Sequence, residues 1–187
     1  MTDTGVNSTG DVVAFLKDQH DQIKRLFAQT LDATDTESGD KAFFELRRLL
    51  AVHETAEEMV VHPLARRTIA FGEGIVDARL KEENEAKHQL ASIEKMDVGS
   101  TEFGQALAQL QSAVLEHARH EEVEEFTKLS EDLDEGNLKR AATMVRMAER
   151  MAPTRPHPGV ELATVNMAVG PFAAMLDRAR DALKDIG

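Results

Sequence analysis

The 187-residue chain contains no cysteine, no tryptophan and no tyrosine. Without cysteine, disulfides, thiolate metal sites and iron–sulfur clusters are excluded. Any metal must then be held by nitrogen and oxygen donors, a set that suits iron, manganese or zinc. Without tyrosine, tyrosyl-radical chemistry and phenolate ligation are excluded as well. There is no long apolar run and no basic-then-apolar leader, so the expectation is a cytoplasmic protein with no membrane partner. Basic residues are in the minority, 22 Lys and Arg against 34 Asp and Glu, for a formal charge of −12. That balance promotes solubility and argues against nucleic acid as a partner, because phosphate backbones attract basic patches.

What the chain does have is helical periodicity. Residues 1–10 are small and polar and are expected to form a flexible N-terminus. A first helix is expected from Asp11, with Val12, Phe15, Leu16, Ile23, Leu26 and Phe27 at helical spacing. After a loop at Thr34–Gly39, a second helix is expected from about Lys41 to Ile69. Its core candidates are Phe43, Phe44, Leu46, Leu49, Leu50, Val60 and Val61, and Pro63 should bend or break it. A turn at Phe71–Gly74 leads to a third helix, about Ile75–Met96, with Leu80, Leu90 and Ile93 inward. A fourth, about Thr101–Leu129, carries Phe103, Leu107, Leu110, Val114 and Leu115. A further helix should run from Asp132 or Glu135 to Met151. Pro153-Thr154-Arg155-Pro156-His157-Pro158-Gly159 cannot be helical and reads as a rigid linker to a last helix at about Leu162–Leu183. No segment alternates like a strand. The expectation is all-α: an up-down four-helix bundle over residues 11–150, with residues 151–187 as a proline-rich linker and C-terminal helix extension.

Four histidines fall one per expected bundle helix: His20, His53, His88 and His117. Two are followed four residues later by a glutamate, His53 by Glu57 and His117 by Glu121. On a helix, positions i and i+4 share a face, so each pair can aim an imidazole and a carboxylate at one point. A lone histidine on an apolar face is more often a satisfied core residue, and a His–Glu pair is often only a surface contact. Four sites on four helices are different, because inward residues of an antiparallel bundle converge at one depth. Buried ionisable groups there are costly unless paired or coordinated. The expected metal ligands are therefore His20, His53, Glu57, His88, His117 and Glu121. Asn84, Glu85, Glu58, His120 and Glu122 are expected to surround them. His62 lies nine residues after His53, about 180° around the helix, and is expected to point away.

At these residues the chain resembles the hemerythrin-like, HHE cation-binding family. Asp18-Gln19-His20, His53-x-x-x-Glu57, His88 and His117-x-x-x-Glu121 carry the resemblance, over about residues 11–150. It implies an up-down bundle around two iron ions joined by an oxo or hydroxo group, with Glu57 and Glu121 bridging and the histidines capping individual irons. The chain departs from oxygen-carrying members. Asn84 stands where they have a second third-helix histidine, and Glu122 where they have a final aspartate. One protein nitrogen fewer favours chemistry at the metal over simple reversible oxygen binding. The linker and last helix look like an extension common in actinobacterial members.

The leading functional expectation is a di-iron protein reacting with hydrogen peroxide, in a catalase-like manner, or with dioxygen. Whether it is an enzyme stays open at this point, as does oligomeric state. The alternative is a non-enzymatic module that binds or senses oxygen, nitric oxide or iron. A third reading, a metal-free interaction domain docking through Met144, Met147 and Met151, ranks lower, because methionines at helical spacing are usually core.

Overall fold

A computed structural model of the chain describes residues 10–152, all helix and short connections with no strand among them. Part of the expected 151–187 extension, including its last helix, lies outside the described residues, as does the expected N-terminal segment up to residue 9. Four rods form the bundle. The first is α1 (Val12–Leu31). The second is α2 (Thr36–Ala56), a π segment (Glu57–Val61) and α3 (His62–Thr68). The third is α4 (Gly72–Ile93). The fourth is α5 (Thr101–His120), a second π segment (Glu121–Phe126) and α6 (Thr127–Asp132). A shorter helix, α7 (Glu135–Glu149), packs against α1, α2 and the first π segment. None of the described helices is long and apolar enough to cross a membrane.

Side-chain caps set the helix starts. Asp11 accepts from the Ala14 N–H at 2.9 Å, Asp35 from Ser38 at 2.9 Å, Ser100 from Phe103 at 3.1 Å and Asp134 from Asn137 at 2.8 Å. Each satisfies an amide that the first turn would otherwise leave open. The Asp35 cap explains why α2 begins at Thr36 rather than near Lys41. At the start of α4, a Cβ on Gly72 would lie 2.3 Å from the Ala65 carbonyl oxygen, so only glycine lets α4 close against α3.

Pro63 does not end its rod. The π segment immediately before it widens the backbone where an interior proline would clash with the preceding turn. Phe44, expected inside, is 47% exposed.

The apolar core divides in two. One half gathers Val12 and Leu16 of α1, Val60 and Leu64 of the second rod, Val76 of α4 and Phe126 and Leu129 of the fourth, covered by α7. The other gathers Ile23 and Phe27, Leu46 and Leu50, Leu90 and Ile93, and Leu107 and Leu110. On every rod a stretch of buried polar residues falls between the two halves. His20 lies between Leu16 and Ile23, His53 and Glu57 between Leu50 and Val60, Glu83 between Val76 and Ala86, and Glu121 between Val114 and Phe126. The up-down connectivity thus stacks four charged stretches into one layer across the middle of the bundle.

Candidate metal centre

Three groups of donor atoms meet in that layer among the described residues, the smallest being His62, Glu121 and Glu125. His20, His53, Glu57 and Glu121 each place a ligand atom within 4.8 Å of the others, and so do Glu57, Glu83, His117 and Glu121. Glu57 and Glu121 belong to both of these larger groups. Both carboxylates are 0% exposed, and none of their four oxygens has a hydrogen-bond partner.

The imidazoles are oriented through their outer nitrogens. His20 Nδ1 donates to Glu122 Oε1 at 2.8 Å, His53 Nδ1 to Gln19 Oε1 at 2.8 Å, and His117 Nδ1 to Glu82 Oε2 at 2.9 Å. A neutral imidazole that donates from Nδ1 keeps its lone pair on Nε2. Those Nε2 atoms face the carboxylates, His20 and His117 at 3.3 Å from Glu121 and His53 at 3.3 Å from Glu57. Histidines that bind metals are commonly held in this way, by an acceptor on the far ring nitrogen. His20 also stacks on Phe126 and meets the edge of His53, with ring centroids 5.7 and 4.9 Å apart. The Gln19 side chain that holds His53 donates in turn to Glu149 Oε1 at 2.5 Å, tying α7 to the centre.

Electrostatically the layer is under tension. Burial and the neighbouring Glu121 push the Glu57 carboxyl well above its usual range. Burial would lower His117 and His20, but Glu121 beside both lifts each above its ordinary value. Burial would likewise raise Glu121, but His117 and His20 hold it well below the usual carboxylate range. Burial and the charge of His20 keep His53 well below. Buried oxygens and imidazole nitrogens left without hydrogen bonds cost stability. Cations at the convergence points would satisfy them, so the residues present fit a pair of metal ions held by nitrogen and oxygen.

The structure brings His20, His53, Glu57, His117 and Glu121 together and does not bring His88 to them. His88 is exposed. It lies five residues beyond Glu83, about 140° around the helix and about 7.5 Å along it, level with the apolar half of Ala86 and Leu90. The α4 contribution is Glu83 instead, on the inward stripe of Val76, Arg79, Ala86, Lys87 and Leu90. That stripe carries charged residues where a core helix should be apolar, the one sequence signal that could have found Glu83.

His62 corrects a second expectation. It is 2% exposed and points inward, with Nε2 2.6 Å from Glu83 Oε1 and Nδ1 3.1 Å from Glu125 Oε1. The π segment adds a residue to its turn, so His62 lies about 80° rather than 180° from His53.

The surrounding residues sort as follows. Glu122 holds His20, and Glu58 pairs with the buried Lys87, which also lies 3.6 Å from Glu54 and 3.5 Å from Glu83. Glu54, buried, is pushed up to about 8, by desolvation above all. His120 sits further out, between Glu82 at 3.0 Å and Glu116 at 3.1 Å. Asn84 is half-buried beside Glu83, while Glu85 is exposed and away from the layer.

A helical bundle with a buried layer of histidine and glutamate defines the class of bundles that bind metal cations in their interior. The chain belongs to the Hemerythrin HHE cation binding domain family, whose model matches residues 11–129. A solved structure of a hemerythrin HHE cation binding domain-containing protein from Mycobacterium kansasii, an Rv2633c homolog, superposes with a TM-score of 0.67 at 17% identity, covering 91% of this chain and 99% of that one. The two share a fold. A protein from Nostoc sp. named DNA nickase is 27% identical over 130 residues, 70% of this chain and 36% of that protein. The chain therefore spans about a third of the length of that relative.

Proposed function

We propose that the chain is a di-iron protein whose centre reacts with hydrogen peroxide or dioxygen. The observation that carries this reading is the pair of donor groups sharing Glu57 and Glu121. One position would be held by His20 and His53, the other by His117 and Glu83, with Glu57 and Glu121 common to both. A pair of iron ions, when bound, supplies two electrons in concert, which matches the cleavage or formation of an O–O bond.

The chain's own residues set the conditions. Glu122, Gln19 and Glu82 fix the three imidazoles with Nε2 inward. Against His20, His53 and His117 lies a cavity of about 20 Å³, walled by Ile23, Leu50, Ala86 and Val114 among others. That space is near the minimum for one water molecule. Space of that size admits only a very small ligand.

Purified protein loaded with iron should evolve oxygen from peroxide or consume dioxygen. A Glu57→Ala, Glu121→Ala double variant should lose both iron and activity. Activity that survives the double change would remove the proposal.

A second reading, a non-enzymatic module that binds or senses a diatomic ligand, is favoured by one feature. The Glu149–Gln19–His53 chain connects α7 to the centre and offers a route by which ligand binding reaches the C-terminal part. A stable, reversible ligand-bound absorption band without peroxide turnover would select this reading.

A further inference from the structure

His62 and Glu125 are both buried in the layer; neither belongs to the two donor groups that share Glu57 and Glu121, but with Glu121 they form a third group of three possible donors. Both owe their place to the π segments. His62 directly follows the first, and its backbone N–H bonds the Glu57 carbonyl across the widened turn. Glu125 lies inside the second. The imidazole has a carboxylate oxygen at each nitrogen, Glu83 Oε1 at 2.6 Å and Glu125 Oε1 at 3.1 Å.

The distances distinguish two roles. Two donors on one ion, each about 2.1 Å from it and about 90° apart, lie about 3 Å from each other. The contacts of His20, His53 and His117 with the bridging carboxylates, all 3.3 Å, have that separation and make no hydrogen bond. The 2.6 Å contact of His62 with Glu83 is too short for co-ligands and is a hydrogen bond. It occupies Glu83 Oε1 and leaves Oε2, buried, without a hydrogen bond and 3.5 Å from Lys87 Nζ, as the oxygen that would face a cation.

We propose that His62 is a positioning residue for the oxygen-rich half of the centre: by gripping Glu83 and Glu125 it sets how tightly the His117–Glu83 position takes its ion, and leaves the His20–His53 position unaffected. This rests on the two-metal reading. His62 replaces in effect, though not in kind, the nitrogen that α4 fails to provide. It steers a carboxylate into the place instead of entering the place itself.

The test is anaerobic titration of the full chain with Co(II), followed by calorimetry and by the visible absorption of the bound ion. Wild type should take up two ions per chain. His62→Gln and His62→Asn both keep an amide donor, but only glutamine has the reach to touch Glu83. His62→Gln should bind the second ion within about threefold of wild type. His62→Asn should weaken it about ten- to a hundredfold and change its absorption, a loss typical when a group orienting a ligand is removed. The first ion should be unchanged in both. Equal second-ion affinity in the two variants, or equal weakening of both ions, would overturn the assignment. Three ions per wild-type chain would also overturn it, by making His62 a ligand. Fewer than two ions in wild type would instead sink the two-metal reading itself.

Discussion

Glu57 and Glu121 hold equivalent places on two different rods: each closes a His-x-x-x-Glu pair, and each is the first residue of a π segment. The carboxylate that both donor groups share is therefore followed, on both rods, by a turn with one residue more. That extra residue brings His62 and Glu125 into the layer. Single Glu57→Ala and Glu121→Ala variants should each lower the iron content from two ions per chain to one or none, by elemental analysis. Glu121→Ala should be the more damaging, because both His20 and His117 face Glu121.

His88 and Glu83 invite a direct comparison. His88→Ala removes an exposed side chain and should change neither metal content nor stability by more than about 0.5 kcal/mol. Glu83→Ala should cost one ion per chain. Metal loss in the first variant with none in the second would restore the sequence-based ligand set.

Stability should depend on pH in opposite ways with and without metal. Burial opposes charge on His20, His117 and His62, but Glu121 beside the first two and Glu125 and Glu83 beside the third lift all three above 6.5. A group raised in the folded state holds its proton longer there, so its contribution is complete below the unfolded value and is lost as pH rises through the folded one. Glu57, raised by burial and Glu121, acts with the same sign from 4.5 upward. His53 and Glu121 are held below their ordinary values and act oppositely, with changes complete by about 6.5. The chelator-treated protein should therefore lose melting temperature as pH rises above about 6.5. Metal binding needs deprotonated ligands, so the stabilisation added by iron should grow over the same range. At free metal about 1,000-fold above its dissociation constant it should reach about 4 kcal/mol. Scanning calorimetry across pH checks both trends.

The small cavity offers a way to separate metal binding from ligand access. Ala86 is buried on its wall. Ala86→Leu should fill it at a cost of about 1–3 kcal/mol in stability, leave two ions per chain, and slow the reaction with peroxide or dioxygen at least tenfold. Unaltered rates in a fully loaded variant would place the ligand's route elsewhere.

Most of the fold was legible because apolar periodicity and capping residues act locally: Asp11 and the stripes of α1 and α5 mark their helices directly. The two His-x-x-x-Glu pairs were legible for the same reason, since i and i+4 share a face in any regular helix. What failed depended on departures from regularity. His62 was placed by counting 100° per residue through a segment that is not an α-helix, and nothing in the composition of Glu57–Val61 announces the wider turn except the nearby Pro63. His88 was chosen by residue type, whereas depth along the bundle and angle about α4 select Glu83. Glu82 and Gln19, which hold His117 and His53, act across more than thirty residues of sequence, and no local pattern reports that.

The division of the apolar interior into two halves has a further consequence. Each half coheres by itself, while the belt joining them packs four fully buried carboxylates side by side, Glu57, Glu83, Glu121 and Glu125. Stripped of its cations, the molecule should loosen at the waist before it frays at the ends. Amide exchange in the chelated protein would then be fastest near the midpoints of the long rods, where an ordinary bundle is slowest.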